Sequence, residues 1–178
     1  LQGSGGYTVV DGEKMMMGEG DLILTPQGTW HDHGHEGDDP MVWVDGLDVP
    51  FIQSLQVISF ESYPDDKQKS QISKQNASHF GMTRPLSSSG ERPAPLHYRW
   101  EDSYRSLKAL AEKEPNPYEG VALEFVNPVT GGPTMPTISC RVQMLRPGER
   151  TQVHRHTSTT IYHAFRGSGT TVINGQSF

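Results

Sequence analysis

Short apolar runs recur along this chain, punctuated by its 19 glycines and 13 prolines: "YTVV", "DLILTP", "MVWVDGL", "IQSLQVISF", "TISCRVQML", "TTIYHAF" and "TTVING". Runs of this length between turn residues predict strands, and many short strands predict an all-β sandwich or barrel. Between "YTVV" and "EKMMM" stands Asp11-Gly12. That pair predicts a type I′ hairpin turn, whose two central residues both need positive φ. Met15, Met16 and Met17 then read as filler on the second strand of the hairpin rather than as copper ligands.

The middle of the chain breaks the pattern. From Glu61 to Pro95 it is polar, rich in serine, proline and glutamine, and without clear period, which predicts a connecting segment. His79 and His97, in or beside it, are expected at the surface. Trp100 to Glu114 carries a helical period, with Leu107, Leu110 and Ala111 on one face and Pro115 as the stop. The chain therefore divides into a first β-unit over 1–60, a connector with one amphipathic helix over 61–117, and a second β-unit over 118–178. An internal echo ties the two β-units together. "LQGSGGYTVVDG" at Leu1–Gly12 returns as "FRGSGTTVING" at Phe165–Gly175, one residue shorter, which predicts a duplicated β-domain. The chain opens on Leu1 and is expected to be a piece of a longer protein, holding the back of one copy and the front of the next.

Composition narrows the partners. The 178 residues carry 15 lysines and arginines against 21 aspartates and glutamates, a formal net charge of −6 without blocks. This argues against nucleic acid or an anionic membrane as partner. No apolar run approaches the roughly 20 residues of a membrane span. The single cysteine, Cys140, cannot form an internal disulfide, so a reducing cytoplasm is expected, with Cys140 as a small buried apolar residue.

The candidate chemistry lies in the histidines. His31, His33 and His35 occupy alternate positions, so on a strand all would face one side. His154 and His156 repeat the spacing, with His163 farther on. Imidazoles at this spacing suit iron, zinc, copper or nickel, but a bare H-x-H leaves ligand and non-ligand roles open. The surrounding residues add more. Gly20, Pro26, Gly28, His31 and His35 read G-x5-P-x-G-x2-H-x3-H, which resembles the second cupin motif, with His35 where that motif ends in asparagine. Gly148, His154, His156, Thr160 and Gly167 read G-x5-H-x-H-x3-T-x6-G, which resembles the first cupin motif, with Thr160 in place of its ligand glutamate.

Beyond these motifs, the strings "TWHDHG", "DGLD" and "NPVTGG" resemble gentisate 1,2-dioxygenase and its relatives, salicylate 1,2-dioxygenase and 1-hydroxy-2-naphthoate dioxygenase. The resemblance covers nearly the whole chain and is weakest between Asp65 and Gly90. It implies a bicupin of two jelly-roll barrels, assembled as a homotetramer, with Fe(II) held by three histidines in the N-terminal cupin. On this reading His31 is an iron ligand whose two partners lie upstream of Leu1. His33 and Asp45 fall at positions associated with substrate binding and proton handling. His154 and His156 match the motif of the C-terminal cupin, which is generally not the catalytic one. The implied reaction takes a small aromatic acid and O2 and opens gentisate between carbons 1 and 2 to give maleylpyruvate. Salicylate or 1-hydroxy-2-naphthoate is the alternative substrate. Other roles remain open for these residues: His33 as a hydrogen-bond partner of the metal shell, Asp45 as a turn cap before Gly46, and Trp30 and Trp43 as barrel packing. A metal-free bicupin that stores protein or binds ligands is the alternative of another class. Expressed by itself, this stretch is expected to be inactive, because one iron ligand alone cannot hold the metal.

Overall fold

The computed structural model describes residues 3–72, 97–127 and 130–178. β1 (Gly6–Val10) and β2 (Glu13–Met16) form an antiparallel hairpin with Val10 opposite Glu13. Asp11 (φ 46°) and Gly12 (φ 82°) both lie in the left-handed region, as a type I′ turn requires. After a two-residue β3 (Leu22–Ile23), β4 (His31–His35) runs antiparallel along the other edge of β1, setting Thr8 opposite His33 and Val10 opposite His31. With neighbours on both sides, β1 buries Thr8, Val9 and Val10 together, and Met15 on β2 is buried beside them. The hairpin turn also sets the register of β4. Asp11 N donates to Trp30 O at 2.8 Å, and Trp30 N donates to Asp11 Oδ1 at 2.9 Å, immediately before His31. A slip of one residue would turn every histidine to the opposite face.

The reading of 61–95 as a bare connector is corrected at its start. Gln68 is buried and ties its segment to the sheet: its Oε1 accepts from Gly12 N at 2.9 Å, and its Nε2 donates to Asp32 Oδ2 at 3.0 Å. From there β5 (Gln71–Ile72) adds to β2 in parallel, giving the order β4-β1-β2-β5. A buried amide does this work, and hydrophobic periodicity carries no trace of it. His79 lies outside the described residues.

Three expected strands are also corrected. Within "IQSLQVISF" the structure places instead the end of α1 (Val49–Ser54), which Pro50 starts in its first turn and which gives way to Gln56 at φ 56°. "MVWVDGL" forms only a single bridge at Val42, and residues 159–165 form no strand. Their β-branched and aromatic composition suits a pleated surface, but a strand persists only where a ladder partner meets it.

The remaining elements include strands at 97–98 and 121–124 that the apolar runs do not mark. β6 (His97–Tyr98) pairs with β3, α2 (Trp100–Ala111) buries Leu107 and stops short of Glu114, and β7 (Val121–Glu124) pairs with β8 (Arg141–Met144). β9 (Val172–Ile173) and β10 (Gln176–Ser177) form the second hairpin. Its turn, Asn174 (φ 50°) and Gly175 (φ 81°), repeats the backbone of Asp11-Gly12, so the echo in the sequence is an echo in conformation. Apart from α1 and α2 the described elements are strands. Among the described residues they form one four-stranded and three two-stranded sheets.

One buried cluster overturns the expectation for His97, which is 4% exposed rather than at the surface. His97 Nε2 donates to Asp21 Oδ2 at 2.6 Å, Gly18 N donates to the same oxygen at 3.0 Å, and Trp100 N donates to Asp21 Oδ1 at 2.8 Å. Trp100 opens α2, so an aspartate from the first unit satisfies one of the orphan N–H groups of a helix far along the chain. Next to it, Gly20 (φ 84°) lets Phe165 and Trp100 close in: a Cβ there would lie 2.7 Å from Phe165 Cζ and 2.9 Å from the Trp100 ring. Gly20→Ala is therefore expected to destabilise the fold by roughly 2 kcal/mol, through left-handed strain and the aromatic clash. Urea denaturation reads this directly, and a wild-type midpoint would show that the aromatic pair yields freely.

Candidate functional site

β4 carries His31, His33 and His35 on one exposed face, as the alternation predicts. The three are nevertheless distinguished by what surrounds them. His31 and His33 line a cavity of about 350 Å³, and Asp45, from the loop after Val42, lines it too. His35 does not. Its Nε2 lies 3.1 Å from Ser4 O, which ties it to the chain entering β1 and gives it a structural role.

The two cavity histidines are held through Nδ1. His31 Nδ1 lies 3.3 Å from Thr29 O, a contact that orients the ring and leaves Nε2 free. His33 Nδ1 lies 3.0 Å from Thr8 Oγ1, its cross-strand neighbour, and Thr8 is 1% exposed. A hydroxyl can give or take that bond, so Thr8 holds the ring in either tautomer. The His31 and His33 rings stand 6.0 Å apart, and the Trp43 ring lies 5.6 Å from His33. Trp43 thus lines the cavity, whereas Trp30 stacks edge-on against Tyr63, away from it, at 5.1 Å.

The remaining lining is largely apolar, with Met17, Leu24 and Met41 from the first unit and Met135, Ile138 and Cys140 from the second. Cys140 is only half-buried and faces this cavity, a placement that its sequence context does not signal. Neither lysine nor arginine occurs among the described lining residues, while imidazoles and the carboxylates of Asp21 and Asp45 do. Such a donor set suits a divalent cation. Of the two carboxylates Asp21 is already engaged. Burial pushes its carboxyl up, but the hydrogen bonds from His97, Trp100 and Gly18 and the charge of His97 outweigh that, holding it below the usual carboxylate range. Among the described residues no group of three or more histidines, cysteines or acids could hold a metal ion.

His154 and His156 lie outside this cavity and on no strand, contrary to the strand spacing they suggest. Their rings still stand 5.9 Å apart, and His154 Nδ1 sits 3.3 Å from Gln152 O, the same contact to residue i−2 that His31 makes. Other groups engage them. His154 Nε2 lies 3.7 Å from Glu119 Oε1, a carboxylate that also receives Gln143 Nε2 at 2.5 Å, and His156 Nδ1 lies 2.8 Å from Ser158 O.

A histidine-bearing strand locked to a hairpin beside a cavity is the arrangement of a cupin, and the family model described as Cupin domain matches residues 1–49. The chain is 40% identical over 181 residues to 5-aminosalicylate 1,2-dioxygenase of Comamonas sp, covering 99% of the chain and 48% of that protein. It is 40% identical over 176 residues to 1-hydroxy-2-naphthoate 1,2-dioxygenase of Nocardioides sp. (strain KP7), covering 96% and 45%. It is 34% identical over 185 residues to gentisate 1,2 dioxygenase 1 of Aquipseudomonas alcaligenes, covering 100% and 53%. The crystal structure of a salicylate 1,2-dioxygenase from Pseudaminobacter salicylatoxidans superposes with a TM-score of 0.68 at 35% identity, over 79% of this chain and 43% of that one. The chain spans about half the length of the curated relatives it matches. It belongs to the bicupin dioxygenase family that includes the gentisate, salicylate and 1-hydroxy-2-naphthoate enzymes.

Proposed function

We propose that this chain forms one side of the active site of an Fe(II)-dependent dioxygenase that opens gentisate between carbons 1 and 2 to give maleylpyruvate. The observation that carries the reading is the convergence of His31, His33 and Asp45 on one cavity without a cationic side chain among its described lining. His31 Nε2 would hold the iron, together with histidines supplied by another part of the protein. Bound there, Fe(II) supplies Lewis acidity and open coordination positions on which an aromatic acid and O2 can meet.

The chain's own residues position the acid and handle its protons. Trp43 and the methionines give the aromatic ring an apolar wall and keep water from it. His33, held by Thr8, sits two residues beyond His31 on the same face of β4, where its ring orients a substrate oxygen. Asp45 accepts the proton of the 5-substituent, the hydroxyl of gentisate, and so raises the electron density of the ring. The match to a 5-aminosalicylate enzyme supports a pocket that attends to this position, since both acids carry a polar group there. Oxygen uptake by the intact protein, reconstituted anaerobically with Fe(II) and offered gentisate, 5-aminosalicylate, salicylate and 1-hydroxy-2-naphthoate, tests the proposal. Strongest uptake with gentisate is expected. Preference for another acid would keep the reaction and change the substrate, and no uptake despite bound iron would overturn the reading.

Asp45→Ala is expected to lower turnover of gentisate by about a hundredfold while iron content stays at the wild-type level. An unchanged rate would return Asp45 to the role of a loop residue. The comparison with salicylate is informative, because an acid without a 5-substituent has no proton there to give and should lose much less.

A further inference from the structure

Two features of the sequence take no part in the function above: the second aspartate of "DGLD" and the string "NPVTGG" that opens the approach to β8. The fold brings their neighbourhoods together. Asp48 stands at the N-cap position of α1, where an aspartate side chain ordinarily accepts a hydrogen bond from its own helix, yet it makes no such bond. Its Oδ2 instead accepts from the hydroxyl of Thr137, across the chain in the second unit.

Thr137 is well placed to serve as an anchor. The chain before it turns tightly, with Asn127 N donating to Gly132 O at 2.9 Å and Gly131 N donating to Asn127 O at 2.8 Å. It then turns again, as Thr134, 4% exposed, donates to Ile138 O at 3.3 Å and Met135 N donates to the same oxygen at 3.3 Å. Met135, Ile138 and Cys140, on either side of Thr137, line the same cavity as His31, His33 and Asp45. Among the described residues, the loop that carries Asp45 is otherwise met by its Trp43 ring, 5.6 Å from that of His33. Past the bridge at Val42 it joins no ladder, a Cβ on Gly46 would find nothing within 4 Å, and α1 beyond it buries none of its residues.

We propose that Asp48 and Thr137 are positioning residues, whose hydrogen bond fastens the Asp45 loop to the second unit so that the second cupin sets the geometry of the first cupin's active site. The inference rests on the proposed function insofar as Asp45 acts on the substrate. It assigns the second unit a task that needs no metal of its own. The bond is short-range and directional, so its loss displaces the loop rather than unfolding the sheet, whose register is set elsewhere by Asp11 and Trp30.

The test uses the intact, iron-loaded protein with Thr137→Val, which removes the hydroxyl at nearly constant shape, and Thr137→Ser, which keeps it. Hydrogen exchange of residues 42–48 reads the tether itself, and steady-state kinetics read its consequence. For Thr137→Val we expect faster exchange confined to this loop, kcat lower by roughly tenfold, and KM and iron content near wild type. Thr137→Ser should restore both readouts. Asp48→Ala should match Thr137→Val, and the double variant should be no worse than either single one, the sign of two groups acting through one bond. Wild-type exchange in Thr137→Val, or faster exchange with unchanged kcat, would overturn the proposal. If the wild type opens none of the acids, the proposed function fails, while the exchange comparison still decides whether this bond holds the loop.

Discussion

His31→Ala in the intact protein is expected to strip the iron and reduce oxygen uptake by at least about a hundredfold. The expectation follows from how β4 presents this ring. The backbone pairing of Val10 with His31 and the bonds between Asp11 and Trp30 place the Cα, the contact of Nδ1 with Thr29 O sets the ring, and Nε2 is left for the metal. These constraints are built by the chain itself, so on the proposed reading losing the imidazole removes a preformed ligand. Removing a partner that merely orients a metal ligand already costs about 10 to 100-fold in metal affinity or activity, and the loss of the ligand itself exceeds that. Because the side chain is exposed and the ladder depends on backbone groups, circular dichroism should remain that of the wild type. Metal analysis after gel filtration is the decisive measurement. A variant that keeps a full complement of iron would remove His31 from the ligand set.

The second large effect concerns stability rather than chemistry. Asp21→Ala is expected to cost about 3 kcal/mol, because it leaves the buried His97 ring without its acceptor and strands the N–H groups of Trp100 and Gly18. The side chains of His97 and Asp21 are 3% and 8% exposed, so water offers little replacement. A pH signature should accompany the loss. The folded carboxyl titrates below its unfolded value, so its contribution is complete above the ordinary carboxyl range of about pH 4 and disappears as pH falls through the folded value. The difference between wild type and Asp21→Asn, which cannot titrate, should therefore be constant near neutrality and shrink on acidification. Urea midpoints measured from pH 7 downward give this curve. A difference that grows toward acid pH would show that the carboxyl is held above its unfolded value instead.

Asp21 also explains why the "G-D-L" opening of the motif matters beyond the metal. It lines the cavity on one side and holds the start of α2 on the other, so the connector helix is fixed beside the cavity that His31 and His33 line. Gly20 beside it admits Phe165 from the second unit against Trp100, at 4.6 Å between ring centroids. Two adjacent residues of one turn thereby join three parts of the chain.

Local rules were enough for much of this. Asp11-Gly12 and Asn174-Gly175 specify their turns because only residues that tolerate positive φ fit there, and the alternation of His31, His33 and His35 specifies a shared face because strand geometry has period two. The helix at Trp100–Ala111 was legible for the same reason, from a period of its own. The family's motifs supplied His31 and Asp45, and the fold brings both to one cavity. What the chain could not disclose locally depends on partners distant in sequence. His97 is buried because Asp21 meets it, Gln68 because Gly12 N donates to its amide oxygen while Val9 O and Asp32 accept from its amide nitrogen, and Cys140 reaches the cavity because β8 brings its segment there. A polar residue carries the same letter whether water or a carboxylate satisfies it, so only the tertiary structure decides which. The apolar runs at 41–47 and 159–165 make the complementary point: their composition determined that they could be strands, yet the structure gives the first a single bridge at Val42 and the second no strand.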